Sequence, residues 1–322
     1  MNVKTIPERI QNWLRRHYKG FIISRKVVRI IRASKKIVLP GFDGIPLYDV
    51  VIFFYKGLKN GDINTRASAL AFNLFLAIFP AIIFFFTLIP YIPITNFQDS
   101  LLDLMAQLIP TTTYKAVEDT LFDIVKRPRG GLLSLGFILA LFFATNTVHS
   151  LIAAFNKTYY AVETRSAFKQ RIISIFLVLV LSVLVVLAIV LITFGPLALQ
   201  WVEKMGLLTD WLTLNLISIG KWLIIVALMF FAFSVLYYFA PTVKHRFRFI
   251  TAGSTLATIL FILTSVGFNF YVNNFASYNT LYGSIGTLIV FMLWLYFNSI
   301  IILVGWELNT SISEARRFNN SL

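Results

Sequence analysis

The chain has 322 residues, 58% hydrophobic and 13% charged, with a mean hydropathy of +0.78, where soluble domains carry about a quarter charged residues. That balance excludes an ordinary water-soluble enzyme. A formal charge of +15 comes from 29 Lys and Arg against 14 Asp and Glu, and the absence of Cys excludes disulfides, thiolate nucleophiles and Cys-ligated metal centres.

At the N-terminus, residues 8–31 read as an amphipathic helix: Ile10, Trp13, Leu14, His17, Phe21, Ser24, Val28 and Ile31 share one stripe, and Arg9, Arg15, Arg16, Lys19, Arg25, Lys26 and Arg29 fill the other faces. Such a helix can lie in the inner membrane interface, with an orientation signal that has no ligand of its own as the alternative. Trp13 and Phe21 would anchor it at the acyl boundary, and Arg15 and Arg16 would meet anionic lipid headgroups, each cation contributing about 1 kcal/mol near the surface. Leu47, Val50, Val51, Phe54 and Leu58 form a second stripe along the same interface, and Thr65 is expected to cap the first span. The N-terminus lacks the apolar core and small-residue site of a cleavable signal, so the first span is expected to be retained.

A helix crossing a hydrocarbon core of about 30 Å needs about 20 apolar residues. Uncharged windows of 32, 27, 31 and 22 residues separate Arg66 from Asp99, Arg129 from Lys157, Arg171 from Glu203 and Lys221 from Lys244. A fifth window, 58 residues from Arg248 to Glu307, holds two spans divided by Asn273, Asn274, Ser277, Tyr278, Asn279 and Gly283. The sequence therefore predicts an all-α integral membrane protein with six transmembrane helices over 67–92, 131–156, 172–199, 214–239, 250–272 and 285–308. Residues 1–65 form a basic cytoplasmic or interfacial segment, 66–310 the membrane domain and 311–322 a short cytoplasmic tail. Inside the outer loop 93–130, Leu101, Leu104, Met105 and Leu108, then Val117, Leu121 and Ile124, mark two short amphipathic helices separated by Pro110 and the run Thr111 to Thr113. With both termini inside, 23 of the 29 cations fall on the cytoplasmic side, so the positive-inside rule predicts N-in and C-in. The cluster Lys126, Arg127 and Arg129 has the wrong sign for an outer flank.

Polar residues on the spans form stripes. Asn146, His149, Ser150, Ala153, Asn156 and Tyr160 share a face of the second span; Thr251, Thr255, Thr258, Ser265 and Asn269 one of the fifth; Thr287, Trp294, Asn298, Gly305 and Asn309 one of the sixth. Polar groups at membrane depth need partners in the bundle or in a wet cavity. Asn146, His149, Asn156, Ser265, Asn269, Asn298 and Asn309 are accordingly predicted to line one interior, with interhelical packing as the alternative. Arg66, Glu163, Arg165, Arg248 and Glu307 are placed at the inner rim, where Glu307 is expected near the headgroups in an ion pair with Arg165 or Arg248. Pro80 frees a carbonyl near Leu76 in the first span.

With these spans placed, the pattern resembles the YihY/virulence factor BrkB family of bacterial inner-membrane proteins, formerly labelled ribonuclease BN-like. The residues that carry the resemblance are Arg66-Ala-Ser-Ala-Leu-Ala with Phe79-Pro80, then Ala153 to Tyr159 with Glu163-Thr-Arg165. They continue with Pro241, Gly253, Tyr271 to Tyr278, Leu281-Tyr282-Gly283-Ser284 and Gly305-Trp-Glu307-Leu-Asn309. The resemblance implies the six-helix fold and a multi-pass location in the bacterial inner membrane; it carries over no catalytic residues.

Catalysis is not expected. His17, His149 and His245 lie in three separate segments, the acids are scattered, and neither a phosphate loop nor a nucleophile elbow occurs. No cofactor and no specific nucleic-acid partner follow from the sequence. The converging stripes point to translocation of a lipid or other amphiphile; a scaffold that binds an envelope protein partner is the alternative.

Overall fold

A computed structural model describes residue 29 and residues 32–93, 96–108, 111–157, 165–204, 211–242, 249–274 and 284–320. The amphipathic helix expected over 8–31, including Trp13, Arg15, Arg16 and Phe21, lies outside the described residues apart from Arg29. Among the described residues all regular structure is helical. A short helix α1 (Leu47–Asn60) precedes α2 (Ile63–Leu88), which the 3-10 turn Ile89–Tyr91 extends. Then come α3 (Phe97–Leu108), α4 (Thr111–Lys126), α5 (Gly130–Asn156), α6 (Ala167–Lys204), α7 (Trp211–Phe239), α8 (Ala252–Asn274) and α9 (Ser284–Asn320). Six of them, α2 and α5 to α9, are long and apolar enough to cross a membrane, as the uncharged windows predicted.

Local differences from the sequence reading have physical causes. Helix α2 starts at Ile63, because Asp62, at φ 49°, holds the capping position; Thr65 sits in the first turn, its hydroxyl donating to Asp62 Oδ1 at 3.0 Å. The two short helices of the 93–130 segment are present, but Thr111 to Thr113 open α4 instead of standing between them. Helix α9 continues past 310 to Asn320 as a single rod, so the expected tail is helical almost to its end. Tertiary packing holds that extension: Leu308, Ile312 and Ala315 bury themselves against Phe42, Ile45 and Val50 of the segment leading into α1 and of α1 itself. Helix α2 runs without a break through Pro80, whose ring is buried.

The spans form a ring in chain order. Helix α2 packs on α5, α5 on α6, α6 on α7, α7 on α8 and α8 on α9, and α9 closes back onto α2. An even number of spans puts α1, the start of α2 and the end of α9 at one end, here the termini end; α3 and α4 lie at the far end. Apolar side chains such as Phe85, Ile138, Leu223, Leu263 and Val266 point outward and are more than half exposed. In water they would form an extensive adhesive surface, whereas hydrocarbon requires such a face.

Burial is uneven along the ring. Near the termini end all six spans feed one core, in which Ala67, Phe155, Leu177, Tyr237, Ala257 and Trp306 are each almost completely enclosed. Toward the far end, the buried positions among the described residues thin to Pro80 and Thr87 on α2, Val125 on α4, Gly136 on α5, Leu184 on α6 and Gly286 on α9.

Candidate functional site at the termini end

Among the described residues, the core at the termini end is built around two opposite charges. Arg66, in the first turn of α2, and Glu307, on α9, approach to 3.7 Å, with side chains only 6% and 0% exposed. Arg66 Nη1 also donates to the carbonyl of Ala154 on α5 at 2.7 Å. One guanidinium thus ties three spans together. Helix α1 closes the pair from the side through Gly57: a Cβ there would collide with Glu307 Oε1. Taking both charges out of water costs several kcal/mol per ion, so such a pair is a weak stabiliser relative to apolar packing but a strict constraint on geometry.

The surrounding polar contacts have a common origin. The last carbonyls of a helix lack intrahelical donors, and where a span ends inside protein something must supply them. At the end of α5, Arg66 serves Ala154 and the Trp306 indole donates to the Phe155 carbonyl at 3.0 Å. At the end of α7, Arg165 Nη2 donates to Ala240 at 2.7 Å, a cation placed where the helix dipole favours it. Asn156 Oδ1 accepts from the Thr242 amide at 3.0 Å, joining the ends of α5 and α7. At the start of α8, Asn309 Oδ1 accepts from the Gly253 amide at 2.8 Å while its Nδ2 donates to Thr251 Oγ1 at 3.1 Å.

Close backbone approach completes the closure. A Cβ on Gly253 would strike the Gly305 carbonyl oxygen, and one on Gly305 would strike Tyr237 Oη, so only hydrogen fits between α8 and α9. Tyr237 donates to the Ile302 carbonyl at 2.9 Å, and its ring centroid lies 5.8 Å from Phe155 and 6.2 Å from Trp306.

The structure distributes the predicted interior residues over several partners. Asn156 and Asn309 belong to the closure. Asn146 Oδ1 accepts from Arg171 of α6 at 2.6 Å, with the guanidinium also over the Phe142 ring. Asn298 Nδ2 donates to its own helix at Trp294, at 2.7 Å. Ser265 is half-buried and Asn269 exposed, both farther along α8. His149 Nδ1, Thr258 Oγ1 and Asn298 Oδ1 are buried with no hydrogen-bond partner among the described residues. All three lie on the far side of the closure: His149 seven residues from Asn156 and Asn298 seven from Gly305, about 10 Å along their helices, with Thr258 nearer the closure because its neighbour Ala257 already packs beside Gly305.

The ion pair expected between Glu307 and Arg165 or Arg248 is instead made with Arg66. A helical-wheel projection sends Glu307 away from the polar stripe; it could not show that α1 and α2 cover that face. Glu163 and Arg248 lie outside the described residues. Sequence reasoning also passed over Gly57, Asn73 and Tyr237. Asn73 donates to Ser150 at 2.9 Å and accepts, through its carbonyl, from Thr147 at 3.0 Å. For Asn73 the available signal was an amide inside an otherwise apolar helix; Gly57, on a helix that carries Asp49, Lys56 and Lys59, and Tyr237 offered no such contrast. Among the described residues no three His, Asp or Glu gather where a metal could bind.

The sequence model of the family described as virulence factor BrkB matches residues 54–321. The chain belongs to the BrkB family. Among its relatives is the ribonuclease-like protein YfkH of Bacillus subtilis (strain 168), 33% identical over 259 residues that cover 79% of this chain and 91% of that one. A UPF0761 membrane protein of Histophilus somni (strain 2336) is 26% identical, covering 84% and 92% of the two chains, and one of Haemophilus influenzae (strain 86-028NP) is 23% identical, covering 84% and 97%. No solved structure matches. Of the stretches that carried the BrkB resemblance, the one beginning at Arg66, the end of span two, Pro241, Gly253 and the end of span six meet in this closure, although Arg66 and Glu307 are 241 positions apart; Phe79-Pro80 lies farther along α2.

Proposed function

We propose that this BrkB-family protein is a non-catalytic, transport-like protein of the bacterial inner membrane, with both termini cytoplasmic, that carries a lipid or other amphiphile through its ring. The observation that carries the reading is the set of buried polar atoms of His149, Thr258 and Asn298, on α5, α8 and α9 beyond the closure, without hydrogen-bond partners among the described residues. Each such atom left in an apolar medium costs about 1–3 kcal/mol, which a hydrated or ligand-bearing interior would offset. The closure around Arg66 and Glu307 supports it from below: with the charge count putting this end inside, the ring is sealed toward the cytoplasm and loosely packed toward the outside. The basic N-terminal segment would hold anionic headgroups at the sealed face.

The Cys-free chain gives a direct test. Single variants His149→Cys, Thr258→Cys and Asn298→Cys should react with a small membrane-impermeant thiol reagent added from the far side, while lipid-facing Ile138→Cys and Leu263→Cys stay protected. In proteoliposomes, a fluorescent phospholipid should reach an external reductant faster than in protein-free vesicles. Protection at all three polar positions together with an unchanged lipid rate would replace this reading with a scaffold.

A further inference from the structure

Away from the closure, at the far end, a cleft of about 210 Å³ opens between the last two turns of α2, the end of α4 and the first turn of α5. Ile83, Phe86, Ile124 and Leu132 give it an apolar floor, and Arg127 and Arg129 complete the lining with side chains 71% and 53% exposed. Thr87 and Leu132 stand within two residues of their helix ends, so the cleft lies where the spans leave hydrocarbon for the headgroup layer.

Its charge is a local exception. The segment 93–130 holds five acids (Asp99, Asp103, Glu118, Asp119, Asp123) against four bases (Lys115, Lys126, Arg127, Arg129), a net charge of −1. At the cleft the sign reverses. Lys126 pairs with Asp99, whereas Arg127, at 3.1 Å, and Arg129 both turn to the single carboxylate of Asp123. Two guanidiniums on one carboxylate leave one positive charge in surplus, and Arg presents a donor fork suited to phosphate. Exposed ion pairs of this kind contribute little to stability, so a stronger anion can compete for the arginines.

The geometry points to a binding site for one anionic glycerophospholipid of the far leaflet, an acyl chain in the cleft and its phosphate on Arg127 and Arg129. An apolar floor open to the bilayer selects a chain-bearing ligand over a soluble anion, and the surplus charge selects an anionic headgroup over a zwitterionic one. The site is independent of whether the ring moves lipid.

Native mass spectrometry of the full chain, released from micelles doped with phosphatidylglycerol or phosphatidylcholine, tests it. The wild type should retain one phosphatidylglycerol in preference to phosphatidylcholine. The double variant Arg127→Gln/Arg129→Gln should weaken retention about thirtyfold, the equivalent of about 1 kcal/mol per cation. Ile83→Trp, which fills the cleft and leaves the charge alone, should weaken it too, and the termini-end control Lys157→Gln/Lys169→Gln should not. Unchanged retention in a folded Ile83→Trp protein would overturn the proposal even if the arginine variant were unstable. So would equal retention of the two lipids, or displacement of the lipid by glycerol 3-phosphate, which would mark a plain anion site.

Discussion

The two ends of the ring are made of similar helices and held in different ways. Near the termini end, hydrogen-only contacts at Gly253 and Gly305, an aromatic group of Phe155, Tyr237 and Trp306, and a charge pair inside protein lock six spans to one another. Toward the far end the same helices present Phe85, Leu223 and Val266 outward and bury little among the described residues. In a bilayer, lipid is as apolar as leucine, so hydrophobicity gives no preference for helix over lipid as a neighbour. What distinguishes the ends is therefore shape and polarity: small residues and hydrogen-bonded side chains are concentrated at one of them.

The sharpest way to break this contrast is to remove one charge from the closure. Glu307→Ala strands Arg66 among apolar neighbours and should cost about 3–5 kcal/mol in reversible unfolding in a fixed detergent, while Val266→Ala in the far half should stay within about 0.5 kcal/mol. Equal losses would show that the halves are not differently held. Next in size, Trp306→Phe keeps most of the ring and loses the bond to the Phe155 carbonyl, for an expected loss of about 1–2 kcal/mol by the same measurement. Asn309→Ala releases the start of α8 and should cost about 0.6–1.7 kcal/mol, the range of interhelical hydrogen bonds in membranes; a restored value in a Gly253→Ala background is not expected, since that Cβ meets the Gly305 carbonyl. The smallest effect belongs to Arg316, a mostly exposed side chain that reaches Asp43 at 3.5 Å. Arg316→Ala should change the unfolding free energy by no more than about 0.5 kcal/mol, and less at high salt.

The uncharged windows made the six spans legible, because length and charge alone decide what can cross hydrocarbon. The short helices of the 93–130 segment were legible from their spacing. The anomalous cations at Lys126 to Arg129 were legible as a cluster, and Arg127 stands at helical spacing from Asp123, but the pairing of Lys126 with Asp99 across α3 and α4 is a tertiary fact. The same limit hid the Arg66 to Glu307 pair. Each residue looked like the border of a span, and only the return of α9 onto α2 brings two borders 241 positions apart together. Helical stripes identified Asn156 and Asn309 as inward-facing polar residues; what they could not supply was that both clamp helix ends.

The unbroken course of α9 has a mechanical consequence. Its 37 residues make a rod of about 55 Å, pinned at Gly305 where the α8 backbone presses on it. From that fulcrum about 22 Å extends toward Asn320, clasped by α1 and the Phe42 to Ile45 segment, and about 31 Å extends toward Ser284. The arms are unequal, so any force that tilts the clasped arm swings the opposite tip through a distance about 1.4 times as great. A stiff rod of this kind would carry a displacement of its clasped end to the opposite end of the bundle without any change in its own secondary structure.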